Sequence, residues 1–195
     1  FWKWVNPVLQ EASNKPRMKK EEIIQQLKQN HQAFAKKLES LGNEDFTRIP
    51  GPKWTAGQQL DHILKSVVPT AKIFNTQPRV LEEKFGLAQN PSRSYKTLVD
   101  DYLKVLENLR DFVLPKRFVP TKITIENRER TLSELLAAIE SLNQGLHFFD
   151  ETILDSHAVL HPAMGKLTLR EMLYNAIYHV THHQKQIETY LAQKA

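Results

Sequence analysis

The segment His179-Val180-Thr181-His182-His183 carries the clearest chemistry in this 195-residue chain. A helix turns about 100° per residue, so His179 and His183 lie about 40° apart and one turn from each other. Two imidazoles so placed can grip one metal ion. A second isolated signature lies far upstream, Trp54-Thr55-Ala56-Gly57-Gln58-Gln59-Leu60-Asp61-His62. Together they suggest a three-histidine site, His62, His179 and His183, assembled between two distant helices.

Spacing alone leaves a plainer reading open, because a short histidine pair is a low-specificity motif. On the last helix Leu169, Leu173, Val180, Gln184, Ile187 and Leu191 form one stripe. His183 and His179 fall on its border, where a hydrogen-bonded core-edge histidine would also sit, and His182 turns further toward solvent. His62 faces away from its helix's main apolar stripe, so taken alone it reads as a surface residue. His31 falls in a stripe and reads as a core histidine. His147 belongs to an apolar segment, whereas His157 and His161 read as solvated residues of a loop before the last helix.

The elements that must position these groups are helical. Ile24, Leu27, His31, Phe34, Leu38 and Leu41 step by three and four over residues 19–42, the stripe of a bundle helix stopped by Gly42. Thr55 with Gln58 forms a capping box that opens a second helix, whose apolar face is Leu60, Ile63, Leu64, Val67, Ala71 and Phe74 and which Pro69 is expected to kink. A third helix is expected over 94–112, through Leu98, Tyr102, Val105, Leu106, Leu109 and Phe112 or Val113. Residues 114–130 read as a long irregular connection with a short extended piece at Lys122–Glu126. A box at Thr131-Leu132-Ser133-Glu134 opens a fourth helix predicted to run through Phe149 and Ile153. Another, Thr168-Leu169-Arg170-Glu171, opens the last, with Leu167 and Met172 placed as a hydrophobic staple. Amphipathic helices with little β patterning define an all-α helix bundle.

Composition narrows the chemistry. The chain has no cysteine, so any metal must be held by His and carboxylates. Lys and Arg exceed Asp and Glu by 27 − 22 = +5, spread along the chain without the basic, aromatic-interleaved stripe that nucleic acid requires. No apolar run approaches the roughly 20 residues of a membrane span, and a cytoplasmic location is the default expectation. No Glu-x-x-His, His-Glu-x-x-His, phosphate-cradling glycine loop or Gly-x-Ser-x-Gly elbow occurs. Residues 1–17 differ in character from the rest of the chain, and Met18-Lys19-Lys20 would make a natural start. They read as an N-terminal extension or a docking tail, with residues 18–195 as one helical-bundle domain.

Trp54-Thr55, Gln58, Leu60 and His62, followed by Gly165-Lys166-Leu167-Thr168-Leu169 and His179-Val180-Thr181-His182-His183-Gln184-Lys185-Gln186-Ile187, resemble the DinB-like superfamily. That group includes metal-dependent thiol transferases of the bacillithiol and mycothiol type, and the resemblance spans residues 19–192. It implies a DinB-like four-helix bundle, here with an additional helix and a long connection, often dimeric. It also implies a divalent metal held by three histidines, carried over to His62, His179 and His183. The expected cofactor is zinc or nickel. The expected reactants are a small-molecule substrate and a low-molecular-weight thiol, and the expected activity is thiol S-transfer or hydrolysis. Three imidazoles leave coordination positions open, as a catalytic site needs. His182 or Gln186 is placed to orient a ligand or assist proton transfer. A non-enzymatic metal-binding or structural bundle dimer is the alternative.

Overall fold

The computed structural model describes residues 17–108 and 113–193. Four long helices form the bundle: α1 (Lys20–Glu39), α3 (Ala56–Phe74), α6 (Ile125–Leu146) and α8 (Leu169–Ala192). Each packs on two others, α3 on α6, α6 on α1, α1 on α8 and α8 back on α3. Between them lie α2 (Asn43–Thr47), α4 (Pro78–Phe85), α5 (Tyr95–Asn108), a 3-10 turn at Lys116–Phe118, and α7 (Glu151–Ser156). The fold is the expected all-α bundle. Its core runs through Leu27, Phe34 and Leu38 of α1, Leu60, Ile63 and Phe74 of α3, Leu135 and Leu142 of α6, and Leu173, Ile177, Val180 and Ile187 of α8.

The starts of α3 and α8 are set by complete capping boxes. Thr55 accepts from the Gln58 amide while Gln58 Oε1 accepts from the Thr55 amide, and Thr168 and Glu171 repeat the exchange. These two helices carry the three histidines, so their phase is fixed by local chemistry. Helix α3 continues through Pro69 to Phe74. At the other end of α3, Gly145 of α6 packs so closely that a Cβ there would collide with the Phe74 carbonyl.

Several sequence expectations are corrected. Helix α6 begins at Ile125, not at Thr131. The Thr131 hydroxyl bonds the Asn127 carbonyl at 2.8 Å, four residues back inside the helix, so it caps nothing. The extended piece expected at Lys122–Glu126 does not form a strand, and its last two residues belong to α6. Helix α6 also stops at Leu146, and Asp150 caps a separate α7 by accepting from the Ile153 amide at 2.7 Å. Phe149 stays in the core, which preserved the apolar period across the break. The segment before α8 is a hairpin, β1 (Ala158–His161) against β2 (Gly165–Thr168), with His161 opposite Gly165 and Ala158 opposite Thr168. Gly165 adopts φ 71°, the left-handed conformation that closes the turn. Helix α5 spans Tyr95–Asn108; Leu109 and Phe112 lie outside the described residues, and Val113 is exposed.

Residues 1–16 also lie outside the description. Arg17, Met18 and Lys20 dock on the α7–α8 end: Arg17 pairs with Asp155 at 2.9 Å, and the Met18 amide donates to the Tyr174 hydroxyl at 3.0 Å.

Candidate metal centre

His62 reaches the site from the second turn of α3, and His179 and His183 from successive turns of α8. His62 Nε2 lies 3.2 Å from His179 Nε2, and His183 Nε2 lies 3.0 Å from that same atom. One nitrogen from each ring falls within 4.8 Å of the other two. The sequence expectation that these three residues meet is realised. The reading of His62 as a surface residue is overturned, since it is buried at 6% exposure. What covers its face is the connection the sequence left irregular: the Phe118 carbonyl accepts from His62 Nδ1 at 2.8 Å.

The protonation pattern is set by the partners. A carbonyl only accepts, so His62 carries its hydrogen on Nδ1 and a lone pair on Nε2. His183 Nδ1 faces Gln59 Oε1 at 2.9 Å, and the amide orientation is fixed because Gln59 Nε2 donates to the Trp54 carbonyl at 3.4 Å. His183 therefore also presents a lone pair from Nε2. Both lone pairs point at His179 Nε2, which has room for one hydrogen at most. At least one nitrogen–nitrogen contact is thus unsatisfied by any arrangement of protons. A single cation among the three nitrogens satisfies all of them. Ligand bonds of about 2.0–2.1 Å in a tetrahedral zinc site separate ligand nitrogens by about 3.3 Å, close to the 3.2 and 3.0 Å from His179 Nε2 to the other two nitrogens. The residues fit a divalent metal.

Electrostatics agrees. Burial pushes the His62 pKa down, and the bond to Phe118 opposes it only in part. His179 and His183 are held well below the ordinary histidine range, first by burial and then by neighbouring imidazoles. Neutral imidazole is the form that ligates metal. His179 keeps partial exposure as a residue, yet its ring sits 4.7 Å from that of His183 and 5.0 Å from that of His62, centroid to centroid. The Trp54 ring closes one side, tilted on His62 at 4.8 Å and stacked over His183 at 6.1 Å. On the other side stands Tyr102 of α5, buried, its hydroxyl pKa pushed up to about 12 by burial, with its ring edge-on to His179 at 6.4 Å.

His182 lies beside the site and not in it: its Nε2 accepts from the Gln186 amide at 2.8 Å, so the two candidate assistants are engaged with each other. His31 is a fully buried core histidine, as expected, donating from Nδ1 to the Leu27 carbonyl at 2.8 Å. His147 is exposed. His157 and His161 are not solvated loop residues. His157 is buried, and His161 is half-buried in β1, its pKa lowered to about 4 by burial. Gln59 and Phe118 are the contributors that sequence reasoning missed. Gln59 stands three residues before His62, a turn away on the same helix face, which is a readable signal. A backbone carbonyl from 56 residues along the chain gives none.

A model of the DinB superfamily matches residues 26–187, and the chain belongs to that family. No curated protein matches the chain. Among the described residues no helix is long and apolar enough to cross a membrane.

Proposed function

We propose that this DinB-superfamily protein is a metal-dependent enzyme in which His62, His179 and His183 hold a divalent ion, zinc or nickel, for thiol S-transfer to a small electrophile. The observation that carries the reading is the convergence of three neutral imidazole nitrogens whose lone pairs no proton arrangement can satisfy. A bound cation would supply Lewis acidity, lowering the pKa of a thiol or water that reaches it. The chain's own part is to hold the ligands. Phe118 and Gln59 fix the tautomers of His62 and His183, and Trp54 shields both rings from water. In the transfer a carbon–sulfur bond forms, the bond from carbon to the leaving group breaks, and the thiol proton is released. Hydrolysis is the same use of the site with water in place of the thiol. A free low-molecular-weight thiol requires a reducing compartment, so the proposal carries a cytoplasmic location with it. It also carries the homodimer common in the family, read by light scattering.

The test is turnover of chloro-dinitrobenzene or an epoxide by zinc- or nickel-loaded protein with a panel of low-molecular-weight thiols. Metal-dependent activity that His183→Ala abolishes, with helical circular dichroism unchanged, supports the enzyme. Tight metal binding without turnover across the panel replaces it with a metal-binding or structural bundle.

A further inference from the structure

The connection between α5 and α6 is tied to the metal-ligand helix through one buried carboxylate. Asp61 is the residue beside His62 and is 7% exposed. Its Oδ2 accepts from the Thr121 amide at 2.6 Å, from the Thr121 hydroxyl at 2.9 Å, and from Lys65 Nζ at 2.7 Å. Lys65 Nζ also donates to the Val119 carbonyl at 2.9 Å. The Phe118 carbonyl, immediately before these anchors, is the one that holds His62. Residues 115–121 are therefore a strap laid along α3 and fastened at Phe118, Val119 and Thr121 by three side chains of a single turn and a half, Asp61, His62 and Lys65.

The composition of the strap suits the task. Pro115 and Pro120 bracket it, which restricts the chain before it docks. Phe118 and Pro120 are buried, and Phe118 lines a shallow groove with Leu64, Val68 and Pro69 of α3. The His62 bond alone cannot hold the segment down, because a single neutral hydrogen bond contributes little net stability in competition with water. Two bonds from Thr121 to a buried carboxylate, with the Lys65 ammonium bridging that carboxylate to the Val119 carbonyl, are stronger.

We propose that Asp61 is a positioning residue for the metal centre. By clamping the strap, it places the Phe118 carbonyl that fixes the tautomer and direction of His62, so that cation binding and strap closure are thermodynamically linked. This rests on the three-histidine reading above. Linkage is reciprocal: what the strap contributes to metal affinity, the metal returns to strap stability.

The experiment measures zinc affinity by competition with a chromophoric chelator, for wild type, Asp61→Ala, Asp61→Asn and His183→Ala. The visible spectrum of the cobalt-substituted proteins is recorded alongside. Asp61→Ala is expected to lose about 10-fold or more in zinc affinity, the range for an orienting partner of a ligand, and to change the cobalt spectrum. Asp61→Asn, which retains an acceptor for Thr121, is expected to lose less. Amide hydrogen exchange supplies a readout on wild type alone. Zinc is expected to slow exchange at Phe118, Val119 and Thr121 by about 10-fold more than at mid-α6 amides. Zinc affinity of Asp61→Ala within twofold of wild type overturns the proposal. So does strap exchange indifferent to zinc, which decides the matter even if Asp61→Ala does not fold. If instead wild type binds no zinc, or His183→Ala binds it equally well, the three-histidine reading fails first.

Discussion

Helix α8 carries two buried polar clusters with opposite logic. In its first turn Arg170, 1% exposed, is enclosed by partners of opposite charge. Its Nε donates to Asp155 Oδ1 at 2.7 Å, its Nη2 to Asp155 Oδ2 at 3.1 Å and to Glu151, and its Nη1 to the Met18 carbonyl at 2.9 Å. These carboxylates raise the guanidinium pKa against the opposing effect of burial, and the arginine lowers theirs in return. The cluster is complete in itself and joins the chain ahead of α1, α7 and α8. Nine residues on, about 14 Å along the axis, His179 and His183 meet His62 with more lone pairs than hydrogens, and the Asp61 carboxylate beside His62 is bonded to Thr121 and Lys65. One cluster is a finished structural joint. The other is left open to a cation, and that incompleteness separates a site from a scaffold element.

The comparison can be broken most directly at His183. His183→Ala is expected to weaken zinc binding by about 100-fold or more, since each ligand of a structural zinc site contributes about 3 kcal/mol. Titration of the folded variant reads this. In the same experiment zinc at about 100 times its Kd should raise the wild-type melting temperature by about 5–10 °C, and not that of His183→Ala. An equal rise in both would remove the distinction between the two clusters.

His31 sharpens the contrast as a buried imidazole with a hydrogen-bond partner and no neighbouring ligand. Burial lowers its pKa from 6.5 to about 4. The unfolded chain therefore takes up a proton first as pH falls. The stability this group contributes is complete above pH 6.5, declines below it, and is lost by about pH 4. The span amounts to about 3 kcal/mol. Denaturant melts of wild type and His31→Leu across that window should diverge by this amount in pH dependence; parallel curves would contradict the assignment.

Arg170→Met should destabilise the fold by about 2–4 kcal/mol, at or below the range for a fully buried pair because Glu151 is half exposed. Zinc affinity of the folded protein should stay within about twofold, as the clusters share no partner. A large loss of affinity would mean that they are coupled along α8. The smallest effect is expected at Gln59→Leu, which leaves His183 Nδ1 without its acceptor and should reduce zinc affinity about 10-fold with little change in melting temperature.

The bundle was legible because its signals are local. The capping boxes at Thr55 and Thr168 and the apolar stripes of α1, α3 and α8 each lie within a few turns of helix. The short elements were not, because they depend on contacts across the chain. The hairpin has only four residues per strand, and the α6–α7 break is concealed by Phe149, which keeps the apolar period while acting outside a helix. The pair on α8 was readable from spacing, and His62 was reached through the DinB resemblance and not through its helix face.

Sequence alone determined which side chains could ligate, the phase of the helices that carry them and, by the absence of cysteine, that the donors would be imidazole nitrogen or carboxylate oxygen and not thiolate sulfur. Tertiary structure alone decided that the three nitrogens meet, and which of them bears a lone pair. The physical reason is that a tautomer is set by the partner on the far side of the ring. For His62 that partner is a backbone carbonyl on a strap brought over α3 only when the chain folds, and sequence spacing carries no record of it.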